Sequence, residues 1–321
     1  MIIGIPKETR LNERRVAATP ETVKKLVAAG LTVHVQKGAG CAASFLDDAY
    51  RDAGAVIVES AADALGADVV FKVRAPAPDE LGYMKRGAVL IGLLQPADAE
   101  QVQRYVDAGV TAFAMEWLPR ITRAQSMDVL SSQANIAGYK AVILAANTYQ
   151  RFFPLLMTAA GTVKAARVLI LGAGVAGLQA IATAKRLGAV VEAFDVRPAT
   201  KEQVESLGAK FVEVPLSEEE RQQAETSGGY AREMTEDYKR RQAELIAQSA
   251  QKADVVITTA QIPGKPAPVL VPESTVKMMK PGSIIVDLAV ESGGNCPLSK
   301  MDEVVVYQGV TIIGAPNLAG D

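Results

Sequence analysis

Residues 119–131 read PRITRAQSMDVLS and place Arg120, Gln125, Asp128 and Ser131 in one short stretch. Gln125, Asp128 and Ser131 recur at three-residue spacing, so on a helical turn they share a face. An amide, a carboxylate and a hydroxyl suit hydrogen bonding to a carboxamide and to sugar hydroxyls. Arg120 adds a guanidinium that can anchor a phosphate or a carboxylate. No His, Cys or Lys lies between residues 117 and 139, so no proton carrier of ordinary pKa stands among them. The plainer reading of the same side chains is a helix cap with hydrogen bonds between domains.

A second constellation follows. ILGAGVAGLQA carries Gly172-x-Gly174-x-x-Gly177 directly after the apolar run RVLIL (167–171) and opens a helix that ends near Gly188. The first glycine permits a tight turn, the second a close approach of backbone to a pyrophosphate, and the third the packing of helix on strand. The pyrophosphate then meets free N–H groups and the positive end of the helix dipole. The next run, AVVEAFD, ends in Asp195, placed to accept hydrogen bonds from adenosine ribose hydroxyls and to disfavour a 2′-phosphate. Arg197 two residues later argues the other way, and Asp195 is weighed more heavily for its place at a strand end. The expected ligand is NAD(H). TTAQIPGKPAPVLV (258–271) follows a further strand and reads either as a rigid loop whose backbone meets the cofactor or as a plain turn.

Elsewhere the usual agents of proton transfer are scarce. The one histidine, His34, sits in the alternating run TVHVQ and reads as a structural strand residue. Lys72 and Arg74 in FKVRAP stand at a strand end, where a solvated terminus is the plain reading.

These groups need elements to hold them. Apolar runs at 2–5, 32–36, 55–58, 68–73, 88–94 and 111–115 alternate with amphipathic stretches such as 19–30, with Thr19 as cap and Pro20 at the first position, and 96–109. The pattern repeats with strands predicted at 167–171, 190–194, 210–214, 254–258, 283–287 and 311–314. Helices are predicted at 134–146, 175–186, 199–207, 236–250 and 273–279. Continuous apolar strands between helices imply parallel sheets covered on both faces. The expectation is an α/β protein of two Rossmann-like domains, 1–135 and 136–321, with a cofactor cleft between them. The charged stretch 215–242, with Gly228-Gly229 beside Tyr230, is a long loop inside a compact domain, which is either functional or a solvated surface.

Composition narrows the classes. The chain has 321 residues, net charge −2, 49% hydrophobic and 22% charged residues. That balance gives no field to draw nucleic acid or an anionic membrane. Cys41 and Cys296 have no metal-type spacing, so neither a disulfide framework nor a metal site is expected. Val168–Ala184 carries no charge, but glycines interrupt it and it is shorter than a membrane span. Direct membrane insertion is not expected.

Taken together, the segments GIPKETRLNERRVAATP (4–20), PRITRAQSMDVLSSQANIAGYKAV (119–142), MTAAGTVKAARVLILGAGVAGLQAIATAKRLGAVV (157–191), DVRPATKEQVESLGAKF (195–211), GGYAREM (228–234), IPGKPAPVL (262–270) and KPGSIIVDLAVESGGNCPLS (280–299) resemble the NAD(H)-binding domain I, or alpha subunit, of proton-translocating nicotinamide nucleotide transhydrogenase. The resemblance covers essentially the whole chain. It implies direct hydride transfer between NAD(H) held here and NADP(H) on a partner domain, coupled to proton movement through a membrane-spanning component. It also implies a homodimer, held peripherally on the inner face of the plasma membrane through partner subunits. It assigns the nicotinamide side to Arg120, Gln125, Asp128 and Ser131. Gln125, Arg120 and Asp128 are the catalytic candidates among them. The remaining cofactor contacts it implies are Gly172, Gly174, Val175, Gly177, Asp195, Val196, Arg197, Gly229, Tyr230, Gln242 and Gln261. Tyr230 matches a tyrosine of a mobile loop, and Gln261 stands where the family has an apolar residue. The family continues past the end of this sequence with a segment that returns to the first domain. The chain also resembles alanine dehydrogenase, whose substrate arginine Arg15 matches. Arg74 stands where that enzyme has a lysine, and Gln95 where it has a histidine. An amino-acid dehydrogenase and a non-catalytic NAD-sensing module are the alternative functions.

Overall fold

The computed structural model describes residues 1–119, 121–214, 236–262 and 265–320. Two compact units emerge, one of residues 1–132 with 320–321, the other of 133–319.

The first unit is built on six parallel strands: β1 (Ile2–Ile5), β2 (Thr32–Gln36), β3 (Val56–Val58), β4 (Val69–Arg74), β5 (Val89–Leu93) and β6 (Thr111–Ala114). Their order is β3-β2-β1-β4-β5-β6. Consecutive side chains go to opposite faces, so Ile3, Ile5, Val33 and Val35 build one core while Val70, Leu90 and Leu94 build the other. Helix α1 (Pro20–Ala28) starts as its sequence predicts: Thr19 Oγ1 accepts the Thr22 N–H at 3.2 Å, and Pro20 stands in the first turn. Four further helices complete the unit: α2 (Asp47–Asp52), α3 (Ala61–Leu65), α4 (Pro78–Leu81) and α5 (Ala99–Ala108). The last begins three residues later than its apolar pattern suggests, because Asp98 caps it through the Glu100 and Gln101 N–H groups. Helix α6 (Val129–Thr148) starts earlier than predicted and enters the second unit at Gln133.

In the second unit a two-stranded hairpin, β7 (Leu156–Thr158) and β8 (Gly161–Val163), precedes the sheet. The sheet strands are β9 (Arg167–Leu171), β10 (Val190–Phe194), β11 (Lys210–Phe211), β12 (Val255–Thr258), β13 (Ile284–Asp287), β14 (Val304–Tyr307) and β15 (Val310–Gly314). The order β11-β10-β9-β12-β13-β15-β14 repeats the order of the first unit across its first five strands. The helices are α7 (Val175–Arg186), α8 (Thr200–Ser206), α9 (Glu236–Lys252) and α10 (Glu273–Val276). Strands β12 and β13 are buried at every position, as expected of strands covered on both faces.

The all-parallel expectation fails at one edge. β14 runs antiparallel to β15, joined through Gln308 and Gly309, both at positive φ (47° and 80°). Two such residues make a primed hairpin turn. Val304 and Val306 face solvent at 63% and 68% exposure, so the strand lacks the continuous burial by which the others are read. Strand β11 is also shorter than the predicted 210–214. Both units have the Rossmann arrangement, with the order reversing beside β1 and β9.

Candidate nucleotide-binding site

In the second unit the site grows from the turn between β9 and α7. Gly172 has φ 102°, and a Cβ there would stand 2.6 Å from the Thr259 hydroxyl. A Cβ on Gly177 would stand 1.8 Å from the Gly172 carbonyl oxygen, so only glycine lets the first turn of α7 close on the loop. Gly174, the N-cap of α7, behaves differently. A Cβ there would have a single neighbour within reach, Arg197 Nη2 at 4.0 Å, and no side chain caps the helix. Open space beside uncapped N–H groups is what a phosphate requires. Thr259 closes the back of the turn, its hydroxyl donating to the Gly172 carbonyl at 3.0 Å.

Asp195 stands immediately after β10. Its Oδ2 accepts the Ala173 N–H at 2.7 Å, and its Oδ1 accepts the Arg197 N–H at 2.9 Å. Arg197 also grips it through Nε and Nη2, both at 2.9 Å. Burial pushes the Asp195 carboxyl up, but the Arg197 guanidinium and the two backbone N–H groups outweigh it and hold the carboxyl below its ordinary value. The same contact raises the Arg197 guanidinium. Arg197, which by sequence could favour a 2′-phosphate, is thus committed to Asp195. Val175 opens α7, Val196 lies between Asp195 and Arg197, and Gln242 is half-buried on α9. The Gln261 amide donates to the Leu288 carbonyl at 3.3 Å. Together the uncapped turn and the carboxylate fit the adenosine and phosphate half of a dinucleotide. Arg120, Gly229 and Tyr230 lie outside the described residues.

The polar stretch in the first unit departs from the expected single helical face. Thr122–Met127 forms a 3₁₀-helix anchored by buried Ala124, and the chain leaves it at Asp128, with ψ 81°. Asp128 then caps α6. Its Oδ1 accepts the Ser131 N–H at 3.0 Å and its Oδ2 the Ser131 hydroxyl at 2.7 Å. Gln125 is exposed on the 3₁₀-helix. The plainer sequence reading, a helix cap, is therefore part of what Asp128 and Ser131 do.

Lys72 and Arg74 are not a solvated strand end. Lys72 shares the inward face of β4 with Val70 and is 4% exposed. Its Nζ stands 2.7 Å from Glu80 and 3.5 Å from Glu8, both buried. Burial raises the Glu8 carboxyl against the pull of Lys72 and of the Val73 and Arg74 N–H groups. Glu13 receives Arg15 at 2.6 Å and Arg74 Nε at 3.3 Å. Gln95 holds φ 55° and gives its N–H to Glu116 at 2.8 Å. The strict alternation of β4 was the signal that Lys72 turns inward.

Comparison with known proteins matches residues 4–137 to the alanine dehydrogenase/PNT N-terminal domain and residues 141–321 to the C-terminal domain of the same family. The chain belongs to the alanine dehydrogenase/PNT family. Within it, the chain is 57% identical to an NAD(P) transhydrogenase subunit alpha protein of Rhodospirillum rubrum, over 99% of this chain and 84% of that protein. A solved transhydrogenase structure from Sinorhizobium meliloti superposes with TM-score 0.90 at 52% identity, covering 100% of this chain and 87% of the other. Alanine dehydrogenase of Bacillus subtilis is more distant, at 33% identity over 92% of this chain and 72% of its own length. An alanine dehydrogenase/PNT member is an oxidoreductase component that handles a nicotinamide nucleotide. Among the described residues no His, Cys, Asp or Glu group could hold a metal ion, and no helix is long and apolar enough to cross a membrane.

Proposed function

We propose that this chain is the NAD(H)-binding component of a proton-translocating NAD(P) transhydrogenase, acting with NADP(H) carried on a partner domain. The observation that carries the reading is the gap between 57% identity to a transhydrogenase alpha subunit and 33% to an alanine dehydrogenase, each over nearly the whole chain. The site chemistry agrees with it. The Gly172–Gly177 turn and Asp195 would hold the pyrophosphate and adenosine ribose, with Val175, Val196 and Arg197 around them and Gln242, Gln261, Gly229 and Tyr230 completing the contacts. Arg120, Gln125, Asp128 and Ser131 would orient the nicotinamide and its ribose.

The nicotinamide supplies the hydride when bound. The chain's own residues have only to orient it, because a ring-to-ring transfer leaves no substrate proton to manage, and catalysis is then mostly positioning. The membrane component and the proton path belong to the partners, which would also hold the chain at the inner face of the plasma membrane. A homodimer fits the hairpin β7–β8, whose Leu156, Met157 and Val163 are all exposed. A lone two-stranded hairpin is marginal in water unless something covers it.

The test mixes the chain with an NADP(H)-binding domain and follows reduction of an NAD analogue by NADPH. An amino-acid dehydrogenase would instead turn over NADH with pyruvate and ammonium unaided, and an NAD-sensing module would bind NADH and transfer nothing.

A further inference from the structure

We propose that Asn295 is a positioning residue that holds the segment after β12 in register with the glycine turn, and so shapes the nicotinamide half of the dinucleotide site. This rests on the reading that the second unit binds a dinucleotide. Asn295 is fully buried. Its Oδ1 accepts the Ala260 N–H at 3.1 Å, while its Nδ2 donates to the Ala260 carbonyl at 2.9 Å and to the Pro268 carbonyl at 2.7 Å. Its own backbone carbonyl accepts the Leu270 and Val271 N–H groups at 2.9 and 3.0 Å. The segment leaves the sheet at Thr258 and comes back at Leu270–Val271, and one residue ties both of its stems.

The amide is needed for this, and not only its volume. Pairing with both groups of the Ala260 peptide takes a donor and an acceptor in one plane. The partners also fix which end is nitrogen, since two carbonyls can only be met by Nδ2. A leucine of similar size offers neither group, and an aspartate loses the donor. The segment cannot tie itself, because Pro266 and Pro268 have no N–H to give.

What Asn295 holds lies against the phosphate-binding turn. Ala260 N stands 3.1 Å from where a Gly172 Cβ would be, and the neighbouring Thr259 hydroxyl donates to the Gly172 carbonyl. Asn295 is steadied in turn by Asp287, also fully buried. That carboxylate accepts the Cys296 N–H at 3.1 Å, the Ser299 hydroxyl at 2.7 Å and the Thr258 hydroxyl at 2.9 Å. The ends of β12 and β13 and the loop between them thus form one hydrogen-bonded frame around Asn295.

Calorimetric titration of the full chain with NADH and with 5′-AMP tests the role, using Asn295→Asp and Asn295→Ala. AMP reports the turn and Asp195 alone, and serves as the control for folding. Leaving the Ala260 and Pro268 carbonyls without their donor weakens NADH binding by about tenfold. AMP binding stays within about twofold, less than half a kcal/mol. Unchanged NADH affinity overturns the proposal. So does a parallel loss of both ligands, or failure of both variants to fold, since each makes Asn295 a plain stability residue. A wild-type chain that binds AMP but not NADH sinks the dinucleotide reading itself, and the proposal with it.

Discussion

Asp195 carries the cofactor preference through a contact that already exists without a ligand. Its carboxylate aligns the glycine turn through the Ala173 N–H and holds Arg197 beside it. Asp195→Ala should therefore weaken NADH binding by at least about tenfold, a loss of the size expected for charge-assisted hydrogen bonds, read by calorimetry. The pH dependence has a definite sign. The folded carboxyl lies below its ordinary value of 3.8. Its contribution to stability is therefore complete above that value and is lost as pH falls through the lowered one. Urea titrations between pH 6 and 3 on the wild type and Asp195→Ala should show the variant losing less stability as the pH drops. Gln125 makes a different case. It is exposed on a short 3₁₀-helix, so it is free to meet a ligand. Gln125→Asn shortens the reach by one methylene and should slow hydride transfer by about a hundredfold, as a misplaced orienting group does, with far less effect on NADH affinity. Equal losses in single-turnover rate and in affinity would make Gln125 a binding residue only.

The strand–turn–helix unit β9–α7 is the element on which the nucleotide site depends. Gly177→Ala would drive a methyl into the Gly172 carbonyl. It should cost about 1–3 kcal/mol in chemical denaturation and remove NADH binding, because overpacking here displaces the turn itself. In the first unit, Lys72→Met leaves Glu8 and Glu80 buried without their cation and should destabilise by about 3–5 kcal/mol, seen as a lower urea midpoint. What could be read from the sequence follows from how local each signal is. The Gly172-x-Gly174-x-x-Gly177 turn, its flanking strand and helix, Asp195 at the end of a strand and the Thr19 cap all depend on neighbours in the chain, and each stands where its pattern places it. Asn295 holding Ala260 and Pro268, Asp287 gathering Thr258 and Ser299, and Lys72 between Glu8 and Glu80 depend on partners brought close only by the sheet order. β14 escaped because an edge strand buries one face only. Asp128 was legible as a polar residue near a helix start, yet three-residue spacing suggested a continuous helix where the chain breaks.

At the scale of the molecule, two units with the same strand order have come to differ in what their switch points carry. The second keeps an uncapped glycine turn and a strand-end carboxylate. The first has filled the corresponding region with ion pairs, Lys72 with Glu8 and Glu80, and Arg15 and Arg74 with Glu13. A chain so built has one nucleotide-type turn among its described residues and no evident proton carrier in the polar stretch 121–131, which suits a component that completes its reaction on another domain. The most direct test is a stopped-flow experiment in which the chain, loaded with an oxidised NAD analogue, meets an NADP(H)-binding domain carrying NADPH. The account predicts rapid reduction of the analogue that needs both proteins, with no NADH oxidation when this chain alone is given pyruvate and ammonium. Turnover of pyruvate and ammonium by the chain alone, with no transfer in the mixture, would contradict it.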